Sequence, residues 1–323
     1  MDEKIDVKEN NIIKIEPDIL EILLKDRTTN KNIIWATNNY INRGPLYTFD
    51  KEIKIEKITS FYGQVIKPRI SKSKQEQLLR AREKAEVFTP SWICNNQNNL
   101  IDNEWFNKDD VFNQEKDKSW KTNYNKIEFP ENKTFEDYIN ELRLEVSCGE
   151  APYLVSRYDT VTGDIIKIGD RIGLLDRKFR ILNENVDNED DWIQYTFKIY
   201  KSIYGFEWQG DNLLIARENL LYTFIDNYKE KFNKEIDKKI LIKIAEIISW
   251  NLWQMDGIKF VIPDTCSEKE IYERTLFGDN LISECCKGCK NNNPLTHNGI
   301  YCKVMNWETN RKIKFVSLFS RRK

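Results

Sequence analysis

The feature that most constrains this chain is an alternation of short strand-like runs with longer helical ones from Phe135 onward. FEDYINELR reads as a helix and is followed at once by the strand-like LEV, a turn of small residues and YLVSRY. From Glu189 the run EDDWIQYTFKIYKSI is again helical and leads into YGFEW. A second helix, from Asp211, places Leu213, Leu214, Leu220, Leu221, Phe224, Ile225 and Tyr228 on one face at helical spacing. A third, from Asp237, repeats the pattern with Ile240, Leu241, Ile244, Ile247, Ile248 and Leu252, and Gly257 stands where its C-terminal cap is expected. The apolar run IKFVIP, ending at Pro263, reads as the next strand. This order is that of a parallel sheet joined by crossover helices, so the predicted class is α/β with a Rossmann-like sheet.

The rest of the chain reads as attachments to that sheet. Residues 1–80 form a predicted N-terminal α+β module with strand-like pieces such as Asn32–Ala36, broken at Arg43, Gly44 and Pro45. Ser71–Glu86 is rich in helix formers, with Ser71 and Ser73 as candidate caps. The polar stretch Asn95–Lys133, punctuated by aromatics, reads as irregular surface chain. The main domain is predicted over 81–265, and 266–323 as a Cys-rich loop followed by a hairpin around Glu308–Arg311.

Composition narrows the classes of partner. With 51 Lys plus Arg against 52 Asp plus Glu, bulk charge does not hold this chain on nucleic acid, so any DNA-binding surface must be local. The start, MDEKIDVKEN, has no apolar signal core, and no stretch approaches the ~18 apolar residues of a membrane span; a cytoplasmic chain with no membrane partner is expected. The seven cysteines are then expected to be mostly reduced thiols.

In an open α/β sheet, ligands bind beyond the carboxyl ends of the strands, where a tight turn lets backbone approach the ligand and a later carboxylate takes ribose hydroxyls. EVSCGEAPYL offers such a strand end at Glu145 and a small-residue turn through Cys148, Gly149 and Ala151. YGFEWQGDN offers a second strand ending at Glu207, with a helix starting near Asp211.

These residues resemble the adenine-N6 DNA methyltransferases of bacterial restriction and modification systems. EVSCGEA is similar to that family's D-P-x-C-G-x-G loop, with Glu145 for the Asp, Val146 for the Pro and Ala151 for the last Gly. AEVFTP, Ala85–Pro90, resembles the G-x-[VF]-[FY]-T-P segment that precedes the loop, and GFEWQGDNLLIARENL resembles the second motif. NLWQMDGIKFVIPDT resembles the following helix end, Gly, strand and Asp-Thr. The run CGEAPYLVSRYDTVTG…RIGLLDRKFRILNEN also looks like proteins labelled as modification subunits. The resemblance implies an S-adenosylmethionine (SAM) pocket with Glu207 on the ribose, Trp208 beside the adenine ring and Asp264, with Asp256 as the alternative, near the adenine amino group. It further implies cofactor-binding roles for Phe88, Thr89, Pro90, Glu145, Cys148, Gly149, Glu150, Ala151 and Tyr153. Gly149 and Glu207 stand 58 positions apart against about 20 in a compact unit, so 159–186 is expected to be an insertion, a hairpin on the rim.

Adenine-N6 transfer also needs the base flipped out and its amino group polarised, which this family does with N-P-P-Y or D-P-P-Y. The eight prolines include no adjacent pair, so that motif is absent; NNNPL, Asn291–Leu295, is a turn. The 59 residues after Asp264 are too few for the remaining strands and a target-recognition domain. The expectation is a cofactor-binding part of an enzyme on double-stranded DNA, inactive alone. A partner polypeptide is expected to carry the target-adenine motif, with a restriction nuclease subunit as a further partner. The competing expectations are a SAM-binding regulatory or scaffold subunit without transfer and, more remotely, a nuclease subunit on the faint signal of Asp176, Arg177 and Lys178.

Two further clusters stand out. Cys286, Cys289, His297 and Cys302 have the spacing C-x2-C-x7-H-x4-C, with Cys285 as a spare, and suit tetrahedral Zn²⁺; the alternative is a set of reduced loop thiols. Arg171, Arg177, Lys178 and Arg180, interleaved with apolar residues, can meet DNA phosphate; a strand with one basic solvated face, or a subunit interface, is the plainer reading. Cys148, with no His near it in sequence, is expected to pack at the turn rather than act as a nucleophile.

Overall fold

The computed structural model describes residues 8–59, 65–275 and 278–320. The chain opens with α1 (Glu9–Ile15), α2 (Pro17–Leu24) and the single turn α3 (Ile55–Ile58), followed by α4 (Lys74–Lys84) and α5 (Ser91–Phe106). A hairpin of β1 (Asn113–Lys116) and β2 (Ser119–Thr122) leads to α6 (Phe135–Asn140) and β3 (Arg143–Val146). Then come α7 (Leu174–Asn185), α8 (Glu189–Lys201), β4 (Ile203–Glu207), α9 (Gly210–Phe232), α10 (Lys238–Asn251) and β5 (Leu252–Gln254). The chain closes with the hairpin β6 (Lys269–Thr275) and β7 (Gly278–Glu284), α11 (Lys287–Asn291), the hairpin β8 (Lys303–Asn306) and β9 (Arg311–Lys314), and α12 (Ser317–Ser320).

The class is α/β, and its centre is a small parallel sheet in the order β3-β4-β5, with Glu145 beside Gly205 and Phe206 beside Trp253. Side-chain caps start the helices that feed it. Ser73 accepts from the Glu76 N–H, Asn188 from that of Asp191 and Asp237 from that of Lys239, and Thr134 forms a reciprocal box with Asp137. Alternation along the strands divides the two faces. Ile203 and Leu252 join the large apolar core built on α7 to α10, while Phe206 and Trp253 join a second cluster with Val304 and Phe315 of the C-terminal hairpin region. That hairpin turns between Asn306 and Arg311, as the sequence predicts.

Four expectations are corrected. The third strand is Leu252–Gln254, not IKFVIP: the helix stops at Asn251, whose side-chain amide donates to the carbonyls of Tyr200 and Ile203 and so ties the chain to the start of β4. Gly257 is not a helix cap; it lies in a turn closed by the Asp256 carboxylate, where an added Cβ would meet the Phe206 ring at 2.7 Å. The 159–186 segment is not a rim hairpin, because beyond a single bridge between Tyr158 and Ile165 it becomes α7, with Phe179, Ile181 and Leu182 in the core. Asn95–Phe106 is helix rather than irregular surface, its buried Asn95, Asn98, Asn99 and Asp102 facing inward.

The N-terminal residues do not build a core of their own. Ile19, Leu20, Leu23, Trp35 and Ile53 enter the same cluster as α9 and α10, and α2 packs on α10. Among the described residues no helix is long and apolar enough to cross a membrane.

Candidate functional site

At the end of β3 the chain reverses so tightly that Cys148 is fully buried against β4, its N–H donating to the Phe206 carbonyl at 2.8 Å. Room for the thiol exists because Gly205 has no side chain; a Cβ there would stand 3.2 Å from that of Cys148. Gly149 follows with φ 53° and Ala151 with φ 66°, the left-handed region that glycine enters most easily. The turn is held from inside by three buried carboxylates. Glu145 accepts from the N–H groups of Tyr153 and Leu154, Glu150 from the Arg69 N–H and the Tyr158 hydroxyl, and Glu207 from the Gly149 N–H at 2.9 Å.

Burial sets the protonation of these groups. It lifts the Glu207 carboxyl to about 7, against the N–H donations of Gln209 and Gly149 that pull it down. The same effect holds Glu145 well above the usual carboxylate range. It also pushes the Cys148 thiol far up, in keeping with a side chain packed fully buried against Gly205.

The segment expected ahead of the loop is brought to it. The Phe88 ring lies beneath Gly149, 3.5 Å from where a Cβ would stand; the Thr89 carbonyl accepts from the Thr160 hydroxyl, and Pro90 leads into α5. Above the loop, beyond the carboxyl ends of β3 and β4, opens a cavity of about 490 Å³. Ser147, Glu207, Trp208, Gln209 and Asp264 form its floor and one wall. Glu145, Cys148, Glu150 and Ala151 shape the turn from within and do not line it. Tyr153 is half-buried behind the loop. Asp256 is away from the cavity, its carboxylate taken by the N–H groups of Ile258 and Lys259.

The remaining wall was not foreseen. Ala36, Thr37, Asn38 and Phe49, from the N-terminal part, cover the cavity. They are seated by the Gln254 amide, which exchanges two hydrogen bonds with the backbone of Ile34 and donates to the Trp208 carbonyl, while the Trp208 indole donates to the Ala36 carbonyl at 3.0 Å. No local signal in 30–50 announces this role, because the partners that seat the segment on the site, Trp208 and Gln254, lie about 170 residues or more along the chain. Nearby, Arg80 bridges Glu86 and Asp211 at 2.7 Å each and pins the first turn of α9.

The basic residues that could meet DNA phosphate, more plainly read as a basic strand face or a subunit interface, lie instead on and just before helix α7. Arg177 is 1 % exposed; its guanidinium pairs with Asp102 and donates to Asn95 and Asn99. Lys178 is equally buried and donates to the carbonyls of Ile139 and Glu141 and to the Ser202 hydroxyl, closing the end of α6. Burial drives its ammonium well below the ordinary lysine range. Arg171 pairs with Asp226 and Arg180 with Glu184. Asp176 accepts from Ser156 and the Gly173 N–H, so the faint nuclease signal of Asp176, Arg177 and Lys178 is a set of buried structural contacts.

Near the C-terminus Cys266, Cys286, Cys289 and His297 converge, with all four ligand atoms within 4.8 Å of one another, and can hold a metal ion such as zinc. This corrects the sequence spacing at one position. Cys302 is fully buried and directs its thiol to the Gln254 carbonyl at 3.3 Å, and Cys266 takes the fourth place. Cys285 is exposed and stands apart, its thiol on Glu268. None of the seven cysteines is joined in a disulfide.

Comparison of the chain with protein-family models, with curated proteins and with solved structures finds no match.

Proposed function

We propose that this chain is the SAM-binding part of a site-specific DNA adenine-N6 methyltransferase in a restriction-modification or other phage-defence system, its target-adenine motif carried by a partner polypeptide. The observation that carries this reading is the cavity at the carboxyl ends of two parallel strands, with a strand-end carboxylate, Glu207, beside a glycine turn. Its volume, about 490 Å³, lies within the range of small-molecule sites. Glu207 is the acceptor for ribose hydroxyls, the half-buried Trp208 offers an aromatic surface for adenine, and Asp264 on the rim is an acceptor for an adenine amino group. The bound cofactor supplies the activated methyl group; the residues here bind and orient it.

The partner is inferred from what the sheet leaves open. Among the described residues β3 pairs with β4 alone, so its other edge carries no strand, and Leu144 and Val146, with Leu142 just before the strand, are 48, 65 and 70 % exposed on one face. Parallel sheets are ordinarily covered on both faces, and a Rossmann-like sheet continues past its first strand on the far side from the second. That is where a chain bearing N-P-P-Y would add its strand.

Calorimetric titration of the purified chain with SAM is expected to give saturable binding, reduced at least about tenfold in Glu207→Ala and in Gly149→Asp, the order of one lost charged hydrogen bond. A folded wild-type chain that binds no SAM would sink the proposal. Methyl transfer to DNA is expected only when a chain carrying N-P-P-Y is added; transfer by this chain alone would refute the division of the site.

Affinity should also depend on pH in a definite direction. Hydroxyl donors need the ionised carboxylate, and burial lifts Glu207 to about 7. SAM affinity is therefore expected to rise from pH 6 to 8 and level off, by up to about tenfold per unit below the pKa. Glu207→Gln should show a flat, weak profile. A wild-type profile that falls with rising pH would exclude Glu207 as the acceptor.

A further inference from the structure

We infer that Cys266, Cys286, Cys289 and Nδ1 of His297 hold one zinc ion, and that this ion fixes the segment bearing Asp264 as a wall of the cavity. The second clause rests on the cofactor reading of that cavity; the first does not.

The geometry argues for an ion. The sulfurs of Cys266, Cys286 and Cys289 lie 3.6, 3.5 and 3.6 Å from the same ring nitrogen, Nδ1 of His297. A tetrahedral zinc with Zn–S of about 2.3 Å and Zn–N of about 2.0–2.1 Å holds sulfur and nitrogen about 3.5–3.6 Å apart. Hydrogen bonding does not account for the convergence, because a ring nitrogen has one proton or one lone pair and can serve only one of three sulfurs. Three thiolates and an imidazole suit zinc and close its coordination, which marks a structural rather than a catalytic centre.

The surroundings are shaped to the same end. The Asn298 N–H donates to the Cys286 sulfur at 3.3 Å, an outer contact that orients the ligand. Two glycines leave room for the ligands: a Cβ on Gly288 would stand 2.5 Å from His297 Nδ1, and one on Gly299 would stand 3.0 Å from the Cys266 sulfur.

Cys266 couples this centre to the cavity. It follows Asp264 by two residues, and Asp264 lines the cavity with φ 58°. Between them Thr265 accepts from the Ile300 N–H, and Ser267 and Asn298 exchange two hydrogen bonds. These contacts are exposed and individually weak, whereas a shared ion ties Cys266 to the 286–297 loop through coordinate bonds.

The test is metal analysis of the purified full-length chain, alongside Cys266→Ser, His297→Ala, Cys302→Ser and the conservative Cys266→His. About one zinc per chain is expected in the wild type and in Cys302→Ser, near-complete loss in Cys266→Ser and His297→Ala, and recovery in Cys266→His, which restores a donor. Cobalt substitution should give intense thiolate-to-metal absorption in the same pattern. A wild type without zinc, or loss in Cys302→Ser with retention in Cys266→Ser, overturns the assignment. Hydrogen exchange of 260–267 should rise at least tenfold on zinc removal, and unchanged protection overturns the coupling. SAM titration of the loaded chain completes the set. Zinc with no SAM binding would reject the cofactor reading and leave the metal site standing; binding that weakens at least tenfold on chelation supports both.

Discussion

Arg177→Met is expected to lose about 3–5 kcal/mol of stability, the range for removing one partner of a buried ion pair. The guanidinium faces Asp102 from α5, with Asn95 and Asn99 accepting from its second nitrogen. Among the described residues, the Tyr138 hydroxyl is the one hydrogen-bond donor left to Asp102, which is 1 % exposed, once Arg177 is gone. The Asp102 carboxylate is then buried beside an aliphatic side chain and two amides. Urea denaturation followed by tryptophan fluorescence should show a markedly lower midpoint at unchanged slope. Asp102→Asn in the same chain should recover part of the loss, since it removes the stranded charge. The prediction separates two roles of one residue. A DNA-contacting arginine, truncated, weakens DNA binding and its salt dependence while leaving the midpoint near that of the wild type.

The same residue shows where sequence reasoning reaches. Features set by neighbours within a few residues were legible: the cap at Ser73, the start of a helix at Asp237, the long helix after Glu207, the turn through Gly149, and the hairpin around Glu308–Arg311. Features set by distant partners were not. Arg177 reads as a cation among apolar residues, and only the approach of α5 makes it interior. Leu252 continues a helical stripe by spacing, yet the chain is already a strand there because Asn251 is bound to the start of β4. Cys302 completes a plausible ligand spacing, but its thiol is drawn into the cluster between the sheet and the C-terminal hairpin, and Cys266 arrives from across the intervening hairpin of β6 and β7. For the pocket, the turn and Glu207 were legible but not the N-terminal wall, which is seated by distant partners such as the Gln254 amide and the Trp208 indole.

That wall carries the second large effect. Gly210→Ala is expected to cost about 3 kcal/mol, the upper part of the usual overpacking range, and, on the proposed cofactor reading, to weaken SAM binding as well. Gly210 opens α9 directly under the N-terminal segment, and a Cβ there would stand 2.1 Å from the Ile34 carbonyl oxygen and 2.9 Å from the Ile53 side chain. The first obstacle is backbone and cannot swing aside. Ile34 is held at both its N–H and its carbonyl by Gln254, and the Gly210 N–H itself donates to the Trp35 carbonyl at 3.3 Å. Relief therefore requires residues 33–36 to lift from the helix start, taking Ala36, Thr37 and Asn38 away from Glu207 and Trp208 across the cavity. Gly169→Ala is the control, since its nearest neighbour is the Tyr124 ring at 3.6 Å, an ordinary contact. Thermal unfolding should show a clear fall for Gly210→Ala and almost none for Gly169→Ala. Titration with SAM at low temperature, where the variant remains folded, should show at least tenfold weaker binding. A Gly210→Ala chain of wild-type stability would mean that the N-terminal segment does not sit on α9, and the cavity would then lose its second wall. Retained stability loss with unchanged affinity would instead place the ligand on the Glu207 side alone, with the wall serving the fold and not the site.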